Sequence, residues 1–118
     1  MNRTILVVDD DRSCRLSLVR LLQAVRYDVL SASSAAEALQ VAAQARPGVV
    51  VMDLQLSDGN GLDVVRALKE RPALAHMRFL ALSGTLNVGD EGTLFHDVLS
   101  KPCRASDLID AIESALHA

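Results

Sequence analysis

Residues 49–61 read VVVMDLQLSDGNG, a short apolar run rich in β-branched side chains that ends in one carboxylate and a glycine-bearing loop. A run of that length, closed by turn residues, predicts a strand buried on both faces. Asp53 is then its last residue. A carboxylate there leaves a dry sheet for a crevice, and in open parallel sheets ligands sit beyond the carboxyl ends of the strands. Burying an unpaired charge beside Val49 to Met52 is expensive, so Asp53 should have partners close by.

Working outward, Thr4 to Val8 (TILVV) is a second such run, ending in Asp9, Asp10 and Asp11. Phe79 to Leu82 predicts another strand before Ser83-Gly84, Asp97 to Ser100 one that leads into Lys101-Pro102, and Tyr27 to Ala32 an edge strand. Between them the apolar period changes from strand to helix. Cys14, Leu18, Leu21, Leu22 and Val25 share a helical face over residues 12–25, with an aspartate ahead of it as cap. Ser34-Ala35-Ala36-Glu37 is a capping box for a second helix through Ala45, which Pro47 stops. A third helix presents Leu62, Val65 and Leu68 until Arg71-Pro72, and a last one presents Leu108, Ile112, Ala115 and Leu116. Gly89 and Gly92 interrupt residues 85–96, so the fourth helix is expected to be short or irregular.

Strands alternating with helices predict an α/β fold: one parallel sheet with helices on both faces and the two most apolar strands, first and third, at its centre. Under that topology Asp9, Asp10, Asp53, Ser83 and Lys101 emerge at the same edge. All 118 residues are expected to form a single domain.

Composition narrows the function. Aromatics make up 3% of the chain with no Trp, which argues against aromatic stacking platforms for nucleic acid or flavin. A net charge of −3 gives no pull toward nucleic acid, although of 12 cations only Lys69 and Lys101 are not arginine. No apolar run approaches the roughly 20 residues of a membrane span, and the N-terminus lacks a signal peptide's apolar core, so the cytoplasm is expected. Cys14 and Cys103 match no metal or redox spacing. Cys14 is expected to pack on its helix face and Cys103 to be a small buried side chain.

Three carboxylates gathered within about 5 Å repel by about 3 kcal/mol per pair at an effective dielectric of about 20. Lys101 alone cannot neutralise them. Mg²⁺ suits a few carboxylate oxygens while keeping several waters, and without it one of the acids should have a raised pKa. Such a site favours phosphoryl transfer, with a metal and a lysine neutralising phosphoryl oxygens, a hydroxyl donating to another, and Asp53 as the acceptor. Taken alone, the Asp9-Asp10-Asp11 run suits a helix cap with solvated acids, and Ser83 or Lys101 an ordinary turn; the constellation is what gives them a role. Asp58, Asn60 and the glycines of SDGNG suit turn geometry, Asp63 a helix N-terminus, and His76, His96 and His117 the surface.

VVDDD at 7–11, VMDLQLSDGNG at 51–61, ALSG at 81–84 and LSKP at 99–102 resemble the receiver domain of bacterial two-component response regulators, over essentially the whole chain. The resemblance implies a flavodoxin-like fold with strand order 2-1-3-4-5, carried over from a family whose chemotaxis regulator is itself a standard illustration of the crevice rule. It implies that Asp53 accepts a phosphoryl group from the phosphohistidine of a histidine kinase or phosphotransfer protein. Asp10, Asp53 and the backbone carbonyl of Gln55 would ligate Mg²⁺, with Asp9 acting largely through water. Ser83 would be the switch hydroxyl, Lys101 the cationic partner, and Lys101-Pro102 a cis peptide. The expected product is a signalling domain, a monomer or weak dimer that engages an effector and not nucleic acid.

The chain departs from the family's pattern at several positions. Val98 stands where most receivers carry Tyr or Phe, the segment between Ser83 and Lys101 is short, and Ser57 replaces a common proline. Gln55 and Thr85, at positions that tune phosphoryl lifetime in the family, carry no charge. Two other functions compete. A degenerate receiver would dock a partner without phosphoryl switching. A small phosphohydrolase of the haloacid-dehalogenase type would use Asp9 as nucleophile and Asp11 as acid/base, because Asp9-x-Asp11-x-Ser13 imitates that motif.

Overall fold

In the computed structural model, which describes residues 2–84 and 94–117, the apolar runs form one five-stranded sheet. Its strands are β1 (Thr4–Val8), β2 (Asp28–Ala32), β3 (Val49–Asp53), β4 (Arg78–Ser83) and β5 (Asp97–Ser100), in the order β2-β1-β3-β4-β5. Every neighbouring pair is parallel. This is the doubly wound order expected, with the two most apolar strands inside. All five residues of β3 are buried.

The pleat sorts the core into two layers, because successive strand side chains point to opposite faces. Leu6, Val8, Val50, Met52, Phe79 and Ala81 pack on one side with Ala38 and Ala42 of α2 (Ala35–Ala45) and Val64, Val65 and Leu68 of α3 (Gly61–Lys69). Ile5, Val7, Val49, Val51, Leu80 and Leu82 pack on the other with Leu22 of α1 (Arg12–Ala24) and Leu108, Ala111, Ile112 and Ala115 of α4 (Ala105–Leu116). Fully burying one such side chain is worth about 1.5–3 kcal/mol, so both layers are large compared with any polar contact.

Element ends differ from the sequence expectation where a local bond decides them. α1 stops at Ala24 because the Val25 and Tyr27 N–H groups both donate to the Leu22 carbonyl, and Arg26 turns the chain at φ 72°. β2 therefore begins at Asp28. β4 gains one residue at each end, which makes Ser83 its last paired residue, opposite Ser100. α3 ends at Lys69, and Pro72–Leu74 form a single 3₁₀ turn. Four α-helices lie among the described residues. The expected fourth helix, with Thr85, Gly89 and Gly92, falls on a segment outside them.

The cysteine expectations do not hold. Cys14 is exposed and Cys103 only half-buried, because the first turn of α1 and the segment after β5 both run past the end of the sheet. There both cysteines line a groove, and Cys103 also packs on the edge of the core layer that holds Leu22 and Leu108. The three histidines are exposed, as expected, and Asp63 sits in the first turn of α3, 3.3 Å from Arg66.

Candidate functional site

Among the described residues, the buried polar or charged ones are Asp9, Asp53 and Ser83, at 1%, 6% and 3% exposure. They stand at neighbouring strand ends. Asp9 follows β1, which is in register with β3, and Asp53 and Ser83 close β3 and β4. Lys101 follows β5, and its N–H donates to the Ser83 carbonyl at 2.9 Å just before a cis bond to Pro102. Parallel register delivers these residues to one edge, although 92 positions separate Asp9 from Lys101.

The Lys101 ammonium lies 3.1 Å from Asp9 Oδ2 and 3.1 Å from Asp53 Oδ2. Each carboxylate spends its other oxygen on its own loop. Asp9 Oδ1 accepts from the Asp11 N–H at 2.9 Å, and Asp53 Oδ1 from the Gln55 N–H at 3.1 Å. Asp10, next along the chain from Asp9, is exposed, yet Asp9, Asp10 and Asp53 each offer a carboxylate oxygen within 4.8 Å of the others. These three acids carry charge −3 against one ammonium. The donor set is therefore that of a hard, oxygen-binding divalent cation.

Burial raises the Asp53 pKa; the Gln55 N–H and Lys101 counteract it in part, and Asp9 adds to it. The direction is the one expected, but burial and not the crowding of acids is its main cause. Burial also works against the Lys101 ammonium, but hydrogen bonds to Asp53 and Asp9 and their charges outweigh it and raise its pKa. The lysine is therefore held as a cation between the two acids.

Asp11 does something else. Its Oδ1 caps α1 by accepting from the Ser13 and Cys14 N–H groups at 2.9 and 3.3 Å, and those bonds lower its pKa. A committed, acidified carboxylate is a poor general acid, which counts against the phosphohydrolase alternative.

Two contributors carried no signal in the sequence. Arg15 donates to the Asp9 carbonyl at 2.8 Å, steadying the β1 end from the first turns of α1. Asp58 reaches away from its own turn to the N-terminus of α2, where it accepts from Ala35 and Ala36. A groove of about 440 Å³ opens beside Asp9 and Lys101, walled by Cys14, Leu18, Leu82 and Pro102.

Gly61 is needed by the site itself. A Cβ there would stand 2.6 Å from the Asp53 carbonyl oxygen and 2.8 Å from Met52 Cγ. Gly61→Ala is expected to destabilise the fold by about 1–3 kcal/mol, as overpacking against backbone does. Urea unfolding measures it. A midpoint equal to the parent's would show that the α3 start moves freely.

Comparison with known proteins agrees with this geometry. The family model for the response regulator receiver domain matches residues 5–113. The transcriptional regulatory protein TdiR of Thauera aromatica is 36% identical over 96% of this chain, which spans 51%, about half, of TdiR. The polar-differentiation response regulator DivK of Brucella ovis is 30% identical over 98% of both chains. The chemotaxis response regulator CheY4 of Vibrio cholerae has 26% identity and a TM-score of 0.90, covering 98% of this chain and 100% of its own. Sequence motifs, strand order and strand-end acids thus converge, and the chain belongs to the response regulator receiver domain family.

Proposed function

We propose that this chain is a two-component phosphoacceptor whose Asp53 takes a phosphoryl group from the phosphohistidine of a histidine kinase or phosphotransfer protein. The observation that carries this is one ammonium 3.1 Å from both Asp9 and Asp53, inside a cluster of three carboxylates. A carboxylate oxygen of Asp53 attacks phosphorus, an acyl phosphate forms, the N–P bond breaks, and the released imidazole takes up a proton. Lys101, poised between the acids, follows the new charge onto the phosphoryl oxygens, and the Ser83 hydroxyl donates to another of them. Asp9, Asp10 and Asp53, with the Gln55 carbonyl, are the residues that would hold Mg²⁺, which neutralises phosphoryl oxygens when bound.

A groove lined by Asp9 and Lys101 lies beside the acids and is a surface on which the donor can approach. Phosphorylation adds about −1.5 to −2 charges, and the response is a population shift in the loops after β3 and β5. Val98 is half-buried against the core, so β5 supplies no aromatic ring to swing inward at that position. The output partner is a protein. The domain acts in the cytoplasm as a monomer or weak dimer, and no helix among the described residues is long and apolar enough to cross a membrane.

The test is incubation with a small acyl phosphate, with Mg²⁺ or with a chelator, followed by intact-mass analysis and peptide mapping. One phosphoryl group on Asp53, only with Mg²⁺, is expected. Label on Asp9 would favour the phosphohydrolase, and no label with any donor would favour a docking module.

A further inference from the structure

We infer that Asp58 is a positioning residue for the Asp53 site, fastening the loop after β3 to the first turn of α2 and so holding the Gln55 peptide in place. The inference rests on the reading of Asp9, Asp10, Asp53 and the Gln55 carbonyl as a Mg²⁺-assisted phosphoacceptor site.

The loop needs an external hold. It is a hairpin of two-residue strands, Gln55–Leu56 against Gly59–Asn60, and so small a ladder is marginal by itself. Asp58, at its turn, provides the hold. Oδ1 accepts from the Ala35 N–H at 2.8 Å and Oδ2 from the Ala36 N–H at 3.3 Å. Both donors are orphan groups of a helix start, where the helix dipole favours an anion, and they lower the Asp58 pKa. The helix is otherwise capped from within. Ser34 Oγ accepts from Glu37 N at 3.1 Å, and Glu37 Oε1 from Ser33 N at 2.8 Å. Gly59 brings the loop against α2 as well, since a Cβ there would lie 3.6 Å from Ala35 Cβ.

The placement of the clamp matters because the segment it grips is also tied to the other acid. The Asp9 N–H donates to the Ala32 carbonyl at 3.1 Å, three residues before Ala35. On the loop side, the Gln55 N–H holds Asp53 Oδ1. A closed path therefore runs from Asp9 through the start of α2, across Asp58, and back through Gln55 to Asp53, independent of Lys101. With that path cut, Leu56 still sits in the core and Asn60 still caps α3, but the turn of the hairpin loses its tie to the segment that binds the Asp9 N–H. Weaker cation affinity should follow, in the way that outer partners of metal ligands act.

The experiment compares the parent with Asp58→Ala, Asp58→Asn and Ser34→Ala. Mg²⁺ alone is titrated by amide NMR, and acyl-phosphate labelling rates are taken at low and saturating Mg²⁺. Asp58→Ala is expected to weaken Mg²⁺ binding by about tenfold, with the labelling rate recovering toward the parent's at saturating Mg²⁺. Asp58→Asn, whose amide oxygen still accepts one N–H, should fall between. Ser34→Ala removes a neighbouring cap of α2 and should lower the unfolding midpoint while leaving the Mg²⁺ Kd alone. A parent that is labelled normally, with equal Mg²⁺ Kd in Asp58→Ala, would overturn the role of Asp58 only, as would a Ser34→Ala shift as large as that of Asp58→Ala. A parent that neither binds Mg²⁺ nor takes up phosphoryl would overturn the site reading and this inference with it.

Discussion

Asp53→Asn is expected to abolish phosphoryl uptake from an acyl phosphate and, at neutral pH without divalent cation, to make the protein more stable than the parent. The first effect follows because an amide oxygen is a poor nucleophile and no other acid in the cluster is equivalent. Asp9 makes the same two kinds of bond as Asp53 but its side chain is only 1% exposed against 9%, and Asp10 stands out in solvent. The second follows from the raised Asp53 pKa, caused first by burial. The native state holds that proton more tightly than the unfolded chain. Stability therefore falls as pH rises from the unfolded carboxylate value, about 3.9, through the higher native one, and stays lowered above it. Asparagine has no such slope. The two proteins should match in acid and diverge toward neutrality in urea melts run across pH. A parent no less stable than the variant at neutral pH would mean that Lys101 fully compensates the charge. Saturating Mg²⁺ at about 100 times its Kd should add about 2.7 kcal/mol to the parent and clearly less to the variant.

Lys101→Ala should affect both folding and chemistry. It leaves Asp9 and Asp53 buried side by side with no cation between them. Removing one partner of a fully buried pair costs about 3–5 kcal/mol; the lysine side chain is 30% exposed, which reduces the expected loss to about 1–3 kcal/mol. That loss should shrink on acidification, as the carboxylates protonate, and on addition of Mg²⁺. Labelling by an acyl phosphate should slow by about 10²–10³-fold, the usual effect of deleting one donor to a developing oxyanion. Chemical denaturation with and without Mg²⁺, beside a labelling time course, separates the two. A variant that is destabilised yet labelled at the parent rate would make Lys101 a structural counter-ion and nothing more.

Most of the frame was readable along the chain because it depends on local period. Five apolar runs of strand length, with amphipathic stretches between most of them, leave few alternatives to a parallel sheet. Acids directly after the runs ending at Val8 and Met52 reach its carboxyl edge in whatever order the strands pair. Boundaries were less legible where they depend on one bond, such as the Leu22 carbonyl taking two donors and ending α1 early.

The sequence by itself determined the layered fold and which acids and lysine gather at one edge of it, since alternation and helical spacing are properties of neighbours along the chain. Only the tertiary structure decided that Asp9, and not the adjacent Asp10, is buried against Lys101 with Asp53, that Cys14 faces a groove, and that Asp58 caps a helix 22–23 residues before it. Those outcomes depend on which way one side chain turns at a strand end and on which loop passes which helix start. Contacts between distant segments set both.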